Sequence, residues 1–338
     1  MQAPLLITTN QGFICVDEEM QRAYLIDGGK GTYYGITYSE NNIYVAARRI
    51  SYVTGKDNME EQEGVILVFD YALNLIDELY APFKLRDLHQ LYYFNKALWI
   101  VCTYDCMIAT YRDGKWEQWY PLGADAGAAK MQPQHINSIY YSDNVIYLGG
   151  SINRVGMIYA YHENNKALFE RHYAGYSSHN VWREDGDLYT LSSMSGTCIT
   201  TGGRVEIVSR GNFVRGVVAT RDEKYFGISE SLSRTSRENS SCMIKRVATP
   251  GRDVRYIGIR DYGQINEIRS PGRQDFAHPS ASCKSIDTAG FGARFPAITL
   301  SHGPCIPEMP VWYWRLRYCF QCFDTKRRRH RLLAKQLI

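Results

Sequence analysis

The chain has 338 residues, of which 45% are hydrophobic and 13% aromatic, so it can bury a substantial core. Its 26 Tyr residues, together with Val, Ile and Thr, favour half-buried strands, while 28 Gly and 11 Pro suit many short turns. The formal charge of +4 comes from the C-terminal part, since residues from Pro271 onward carry 11 Lys and Arg against 4 Asp and Glu. The rest is nearly neutral, so nucleic-acid binding by the main body is not expected.

Targeting and redox signals favour a cytoplasmic protein. The N-terminus lacks a charged segment followed by an apolar core, and no apolar run approaches the roughly 18 residues that a membrane-spanning helix needs. The 9 Cys residues are odd in number and irregularly spaced, which is not the pattern of a secreted disulfide framework. We therefore expect reduced thiols and no transmembrane segment.

In chain order, residues 5–27 predict three short strands, and a repeated unit begins at Tyr34. Each unit has a strand, a short polar turn and a second apolar strand, as in HQLYYFNKALWIVCTY from His89. Spacings of 55, 48, 42 and 37 residues separate the aligned apolar pairs, and each unit offers about four strands, which is typical of propeller blades. The aligned pairs are Ile43–Tyr44, Leu98–Trp99, Ile146–Tyr147, Leu188–Tyr189 and Tyr225–Phe226.

This pattern predicts an all-β, six-bladed β-propeller over residues 1–289, with five or seven blades as alternatives. The three N-terminal strands lack an inner strand, and a propeller commonly closes by joining strands from both termini in one blade. We expect the missing strand near Asp275–His278, because this segment resembles Arg86–His89 and lies one period after Tyr225. The segment GQINEIR from Gly263 is placed at the end of the fifth repeat.

Residues 290–338 differ in composition and contain no recognisable blade. They hold the aromatic segment from Val311 to Phe323, a lone CxxC at Cys319–Cys322 and a basic run at Lys326–Arg331. A poorly ordered basic tail, a short interfacial helix and a segment never selected as part of the fold are three open interpretations. We expect truncation after about Ser282 to change thermal stability little.

The start of each first strand points toward one mouth of the central channel, and several polar residues share that position. His135 lies two positions before Asn137 and therefore on the same strand face. The candidate ligand-binding residues are Tyr34, His89, His135, Asn137, His179, Arg215 and His278, the last as the sixth-blade equivalent.

Three interpretations of this cluster remain open. Neutral imidazoles from separate strands can hold a divalent metal, with His89, His179 and His278 as the ligand set. Without a metal, His and Arg donors can bind a polar or anionic molecule. The histidines can also serve only to cap strand ends.

The two segments HQLYYFNKALWIVCTY and HNVWREDGDLYTLSS resemble six-bladed propellers of the broad NHL, TolB-like and gluconolactonase-like kind. GQINEIR is similar to a segment of an uncharacterised bacterial propeller family. The resemblance implies a fold over about Leu5 to His278 and leaves the activity open, because the acidic and Asn metal ligands of gluconolactonase-like enzymes have no full match here.

The sequence therefore predicts a small polar or anionic ligand bound at a His-lined channel mouth, with a divalent metal as a candidate cofactor. If the protein is an enzyme, a metal-assisted hydrolase or lyase is the natural class. The alternative is a non-enzymatic protein-interaction scaffold that uses the propeller faces and loops such as Lys56–Glu63.

Overall fold

The repeats fold into six antiparallel sheets, as a computed structural model of the chain shows. It describes residues 3–19, 21–50, 59–123, 134–232, 236–249, 253–279 and 284–316, with residues 318, 319, 321 and 324. The first strands of the sheets contact one another in a closed ring, so the predicted six-bladed β-propeller is confirmed. Within these ranges, no helix is both long and apolar enough to cross a membrane.

Blades 1 to 3 each have four strands, which are numbered from the channel outward. Blade 1 contains β4 (Tyr33–Tyr38), β5 (Ile43–Ala47), β6 (Val65–Phe69) and β7 (Leu75–Leu79). Blade 2 contains β8 (Leu88–Phe94), β9 (Ala97–Cys102), β10 (Met107–Arg112) and β11 (Lys115–Trp119). Blade 3 contains β12 (Gln134–Ser142), β13 (Val145–Ile152), β14 (Val155–His162) and β15 (Leu168–Tyr176).

Blades 4 and 5 continue the pattern, and blade 6 joins the two ends of the propeller. Blade 4 contains β16 (Ser178–Glu184), β17 (Asp187–Ser192), β18 (Thr197–Thr200) and β19 (Val205–Ile207). Blade 5 contains β20 (Phe213–Ala219), β21 (Glu223–Ser229), β22 (Cys242–Ala248) and β23 (Val254–Ile259). Blade 6 contains β24 (Ile265–Arg269), β1 (Leu5–Thr9), β2 (Gly12–Asp17) and β3 (Arg22–Gly28).

Burial along each blade explains the apolar pairs of the sequence. The second strands β5, β9, β13, β17 and β21 carry all five pairs, and they lie between neighbouring strands of their own sheet. Strands buried on both faces are mostly apolar, whereas the outer strand β11 (KWEQW) has exposed and half-buried residues. The hydrophobic core consequently fills the spaces between blades.

The inner strand of blade 6 is not where the sequence placed it. It is β24, which pairs antiparallel with β1 and carries most of GQINEIR, whereas Asp275–His278 lies in turns beyond its end. The expectation failed because Asn266, Glu267 and Arg269 are polar, although all three are buried in the structure. Their partners lie far away along the chain, so the local sequence did not identify this segment as an inner strand.

The segment after residue 290 also differs from the expected tail where the structure describes it. A short helix (Phe291–Arg294) is followed by β25 (Ala297–Ile298) on blade 6 and β26 (Leu300–His302) on blade 5. Residues 311–316 are helical, and the buried Trp314 donates from Nε1 to the carbonyl oxygen of Ser195 at 3.1 Å. This segment is held in place because β25 and β26 pair with the outer strands of blades 6 and 5, and because Trp314 is buried against blade 4.

Two other predicted features lie partly outside the described residues. Of the insertion Lys56–Glu63, residues 59–61 form a 3-10 helix (Met59–Glu61), and residues 56–58 lie outside the described ranges. The basic run Lys326–Arg331, Cys322 and the truncation point at Ser282 lie outside the described residues.

Candidate metal and ligand site

Each inner strand is interrupted at the same point, and the interruption aims side chains at the channel axis. The regular pairing shifts between Tyr33 and Ile36 in β4 and between Leu88 and Leu91 in β8, with equivalent shifts in the other four blades. A β-bulge of this kind re-aims side chains and is common beside functional sites. The six bulges thus produce two stacked rings of residues around the axis.

The first ring contains five of the seven candidates named from the sequence, together with Asn266, and leaves out His135 and His278. The second ring follows one residue later in each strand and alternates small with large side chains. The first ring is Tyr34, His89, Asn137, His179, Arg215 and Asn266; the second is Gly35, Gln90, Ser138, Asn180, Gly216 and Glu267. A small polar cavity between them has space for roughly one water molecule.

His89, His135 and His179 form a cluster in front of this cavity. One ring nitrogen from each lies within 4.8 Å of the others. The ring of His89 lies 5.1 Å from that of His135 and 6.3 Å from that of His179, measured between centroids. Blades 2, 3 and 4 therefore each contribute one imidazole to a common point.

The Nδ1 atoms of His89 and His179 are held in the same way. Nδ1 of His89 lies 2.9 Å from the carbonyl oxygen of Asp87 and 2.8 Å from Oγ1 of Thr103. Nδ1 of His179 lies 3.1 Å from the carbonyl oxygen of Ser177 and 2.8 Å from Oγ of Ser193. In both blades the hydroxyl comes from the residue 14 positions later.

These contacts define which nitrogen carries hydrogen. A carbonyl oxygen only accepts, so Nδ1 of each ring is the N–H donor and Nε2 keeps its lone pair. Nη2 of Arg48 also lies 3.4 Å from Nδ1 of His89, but its guanidinium donates to the carbonyl oxygen of Leu88 and forms an ion pair with Asp87. Second contacts of this kind orient metal-binding histidines.

Burial keeps the two anchored imidazoles neutral. Desolvation lowers the pKa of His89 and of His179 well below its usual value, and the positive charge of Arg215 lowers both further. Neutral imidazole is the form that binds metal ions.

Tyr34 and Arg215 of the first ring lie beside a further arginine, Arg48. The guanidinium carbon of Arg48 lies 3.8 Å from the centre of the Tyr34 ring, and that of Arg215 lies 4.7 Å from it. Arg48 is neutralised by Asp87, whereas no carboxylate of the described residues lies within ion-pair distance of Arg215, which is 8% exposed. Glu267 of the second ring interacts electrostatically with Arg215 without forming an ion pair, so the buried guanidinium is suited to a negatively charged ligand as a direct partner.

Glu267 lies at the axis in the second ring, and the sequence did not single it out. Its Oε2 accepts from Nε2 of Gln90 at 3.0 Å, and its Oε1 accepts from Nδ2 of Asn180 at 3.1 Å. Oε1 also forms an ion pair with Nη1 of Arg269 at 3.1 Å. At Gly35 a Cβ atom would lie 2.4 Å from the amide nitrogen of Leu91, so a side chain cannot share this space.

The remaining predicted ligand, His278, lies elsewhere. Its Nε2 is 2.7 Å from Oγ1 of Thr37, and its ring packs against Tyr38 and Tyr92, which lie further along β4 and β8 than the first ring. The structure thus brings together Tyr34, His89, His135, Asn137, His179 and Arg215 but not His278. The position of His278 was predicted wrongly because Asp275–His278 was taken for an inner strand.

Sequence reasoning also missed Gln90, Asn180 and Glu267, and the hydroxyls behind the histidines. One signal was available, since Thr103 and Ser193 each follow a first-ring histidine at the same spacing. Another was that each missed axial residue directly follows a member of the first ring.

Comparisons with known proteins support the architecture alone. A protein of unknown function from Bacteroides caccae aligns with a TM-score of 0.54 at 9% identity, covering 79% of this chain and 98% of the other. A chain from a nidogen/laminin complex aligns with a TM-score of 0.53 at 9% identity, covering 79% of this chain and 97% of the other. No protein-family model matches the chain, and no curated protein matches it.

Proposed function

We propose that the channel mouth is a mononuclear metal centre held by His89, His135 and His179, at which Arg215 binds an anionic ligand. The observation that carries this proposal is the convergence of three imidazole nitrogens within 4.8 Å. The metal-assisted hydrolysis or elimination that such a centre performs is the activity we infer.

The tautomers of His89 and His179 leave Nε2 of each ring able to bind a metal. Both rings direct a lone pair, and no hydrogen, toward the cluster, because their Nδ1 hydrogens are used behind it. Two lone pairs directed at a common point suit a shared cation, and a hydrogen-bond donor satisfies each of them as well. A divalent cation accepts electron pairs from all three rings at once.

Three histidine ligands leave open coordination positions. Imidazole suits Zn²⁺, Fe²⁺ and related first-row ions, and a His₃ set with a bound water is a catalytic arrangement for zinc. Such a metal lowers the pKa of bound water to about 7, which supplies a nucleophile or base near neutral pH. The protein residues then have to orient the substrate.

Arg215 is the orienting residue in this proposal. Its guanidinium stays protonated, lies against Tyr34 and has no carboxylate of the described residues within ion-pair distance, while Glu267 acts on its charge from further away. The small volume below the first ring excludes a ligand larger than water, so the anion binds on the open side of the histidines. A carboxylate or phosphate group next to the metal fits both charges.

Elemental analysis of the purified full-length protein after exposure to Zn²⁺ tests the metal centre. We expect about one metal per chain in the wild type, and loss of the metal in the His89→Ala/His179→Ala double variant and in His135→Ala. His162→Ala is the matched control, because His162 is exposed and packs on Phe169 in blade 3. Equal metal content in all four proteins would contradict the proposal.

Absence of metal from the wild type as well would leave the interaction scaffold as the better hypothesis. In that case the propeller faces, including the Lys56–Glu63 loop, would bind a protein partner. The cytoplasmic location is likewise a prediction on which this proposal does not depend.

A further inference from the structure

The helix near the C-terminus has one face that is docked on blade 4. Residues 311–316 are helical, as are the described residues after them. Trp314 is buried, and its ring stacks on that of Tyr318 with 5.1 Å between centroids. Gln321 donates from Nε2 to the carbonyl oxygen of Met194 at 3.4 Å. These three side chains follow the i, i+4, i+7 spacing of a single helix face, so the helix is fixed to the propeller by one side.

The opposite face of the same helix carries apolar side chains into solvent. Trp312 is 67% exposed, Leu316 is 54% exposed, and Cys319 is exposed as well. These three residues, here called the outer face, repeat the spacing of the docked face two positions earlier. Tyr313 lies at the edge of the outer face and is also exposed. Single apolar residues on a surface are ordinary, but a contiguous group of this kind marks a binding surface.

The chain that follows the helix is strongly basic. Residues 325–338 contain six Lys and Arg, five of them within Lys326–Arg331, and no Asp or Glu. Arg315 adds an exposed positive charge next to the outer face. Because the rest of the protein is nearly neutral, the net positive charge is concentrated on this helix and the segment attached to it. The partner of this surface is therefore negatively charged.

The aliphatic side chain of Leu316 distinguishes between two negatively charged partners. Lys and Arg bind the phosphates of nucleic acids and those of lipid headgroups equally well. A nucleic acid could stack a base on Trp312 but offers no apolar medium to Leu316. A lipid surface offers an interface in which Trp and Tyr rings settle, an acyl boundary for Leu and negative headgroups for the basic segment. All parts of the surface are then used at once.

Contacts of the docked face show on which side of the propeller the helix lies. Nε1 of Trp314 donates to the carbonyl oxygen of Ser195 at 3.1 Å, in the turn between β17 and β18. Ser193 belongs to the same turn, and its Oγ lies 2.8 Å from Nδ1 of His179. The helix is therefore on the same side of the propeller as the histidine cluster.

We infer that the outer face binds the surface of an anionic lipid membrane, with the basic segment 325–338 contacting the lipid headgroups. Trp314 keeps the helix on blade 4 while Trp312 and Leu316 enter the membrane interface, so the protein lies on the membrane without crossing it. Both an apolar and an electrostatic contribution are needed, because either alone gives only weak membrane attachment. This inference is independent of the metal centre.

Cosedimentation of the full-length protein with lipid vesicles tests the inference. We expect the wild type to sediment with vesicles of phosphatidylcholine and phosphatidylserine, and to stay in the supernatant with vesicles of phosphatidylcholine alone. The double variant Trp312→Ala/Leu316→Ala should bind the anionic vesicles at least about tenfold more weakly, because two apolar side chains no longer enter the interface. Phe169→Ala is the matched control, since Phe169 is an exposed aromatic residue on the outer strand of blade 3 and should leave binding unchanged.

Three results would overturn the inference. The first is a wild type that does not sediment with the anionic vesicles. The second is equal binding by the wild type and the double variant. The third is a protein that ignores vesicles but binds a DNA or RNA oligonucleotide, or forms a dimer, in a way that the double variant abolishes.

Tryptophan fluorescence gives a second readout that needs no variant. Trp312 is the exposed one among the six tryptophans, so lipids with bromine-labelled acyl chains should quench part of the wild-type emission when anionic vesicles are added. Should the double variant fail to fold, this measurement decides. Unquenched emission of vesicle-bound protein would show that the outer face does not enter the membrane.

Discussion

Gln90 and Glu267 meet at the axis of the propeller, although 177 residues separate them along the chain. Gln90 also accepts at Oε1 from the backbone N–H of Ile139 in blade 3, at 2.8 Å. One amide therefore joins blades 2, 3 and 6. The second ring holds the channel together beneath the histidine cluster. It places the buried charge of Glu267 in a segment that the sequence assigned to the fifth blade.

The first prediction concerns Glu267. Replacing it with alanine leaves the buried Arg269 without its ion-pair partner. Removing one partner of a buried ion pair lowers the free energy of unfolding by about 3–5 kcal/mol. Denaturant unfolding of Glu267→Ala should show a loss of that size. Glu117→Ala, at an exposed position of β11, is the control and should stay within about 0.5 kcal/mol of the wild type. A loss below about 1 kcal/mol for Glu267→Ala would contradict the account.

The second prediction concerns pH. Since the pKa values of His89 and His179 are lowered in the folded protein, the unfolded chain binds more protons as pH falls below its ordinary His pKa of about 6.5. The contribution of these two histidines to the free energy of unfolding is fully present above that pH and is lost as the pH falls. Each group adds a slope of up to about 1.4 kcal/mol per pH unit.

Denaturant unfolding of metal-free protein between about pH 5 and 8 measures this slope. His179→Gln should reduce the slope of the unfolding free energy against pH, below about pH 6.5, by the contribution of one histidine. A slope that is the same in the variant and the wild type would show that His179 is not held neutral by burial.

The third prediction separates the two roles of the first ring. Arg215→Met removes a positive charge beside the histidines, so divalent metal binding should become stronger while binding of inorganic phosphate to the metal-loaded protein becomes weaker. We expect changes on the order of tenfold in opposite directions, equivalent to about 1.4 kcal/mol each. Calorimetric titrations with Zn²⁺ and with phosphate measure both. Two changes of the same direction would argue against Arg215 as the anion-binding residue.

The fourth prediction concerns the segment after residue 290, where the chain offers a matched pair of tryptophans. Trp314 is 7% exposed and hydrogen-bonds to Ser195, whereas Trp312 is 67% exposed. Trp314→Ala should destabilise the docked segment by about 3 kcal/mol, and Trp312→Ala should have little effect. Thermal unfolding combined with limited proteolysis of the C-terminal segment measures the difference. Equal stability and equal proteolysis of the two variants would support the hypothesis of a poorly ordered tail.

Local patterns in the sequence were sufficient for most of the architecture. The apolar pairs such as Leu98–Trp99 mark the second strand of a blade, because that strand is buried whichever blade it belongs to. The first-ring positions of His89 and His179 followed from the same alignment. Both features repeat, and repetition is visible in a single sequence.

The closing strand and part of the site were predicted wrongly because they depend on contacts between residues far apart in the chain. Ile265–Arg269 was assigned to the wrong blade because Glu267 and Arg269 look like surface residues until Gln90 and Asn180 are placed beside them. The wrong choice of closing strand then moved His278 into the metal set and left His135 outside it. In the C-terminal segment, the strands β25 and β26 could not be predicted because they are too short to show a period.

X-ray absorption spectroscopy of the Zn²⁺-loaded protein tests the central claim most directly, since it reports the atoms bound to the metal. The account predicts three imidazole nitrogens at about 2.0–2.1 Å, with the remaining ligand an oxygen. The His135→Ala variant should lose one of these nitrogens or fail to retain zinc. A spectrum dominated by sulfur at about 2.3 Å, or no retained zinc in the wild type, would contradict the three-histidine centre.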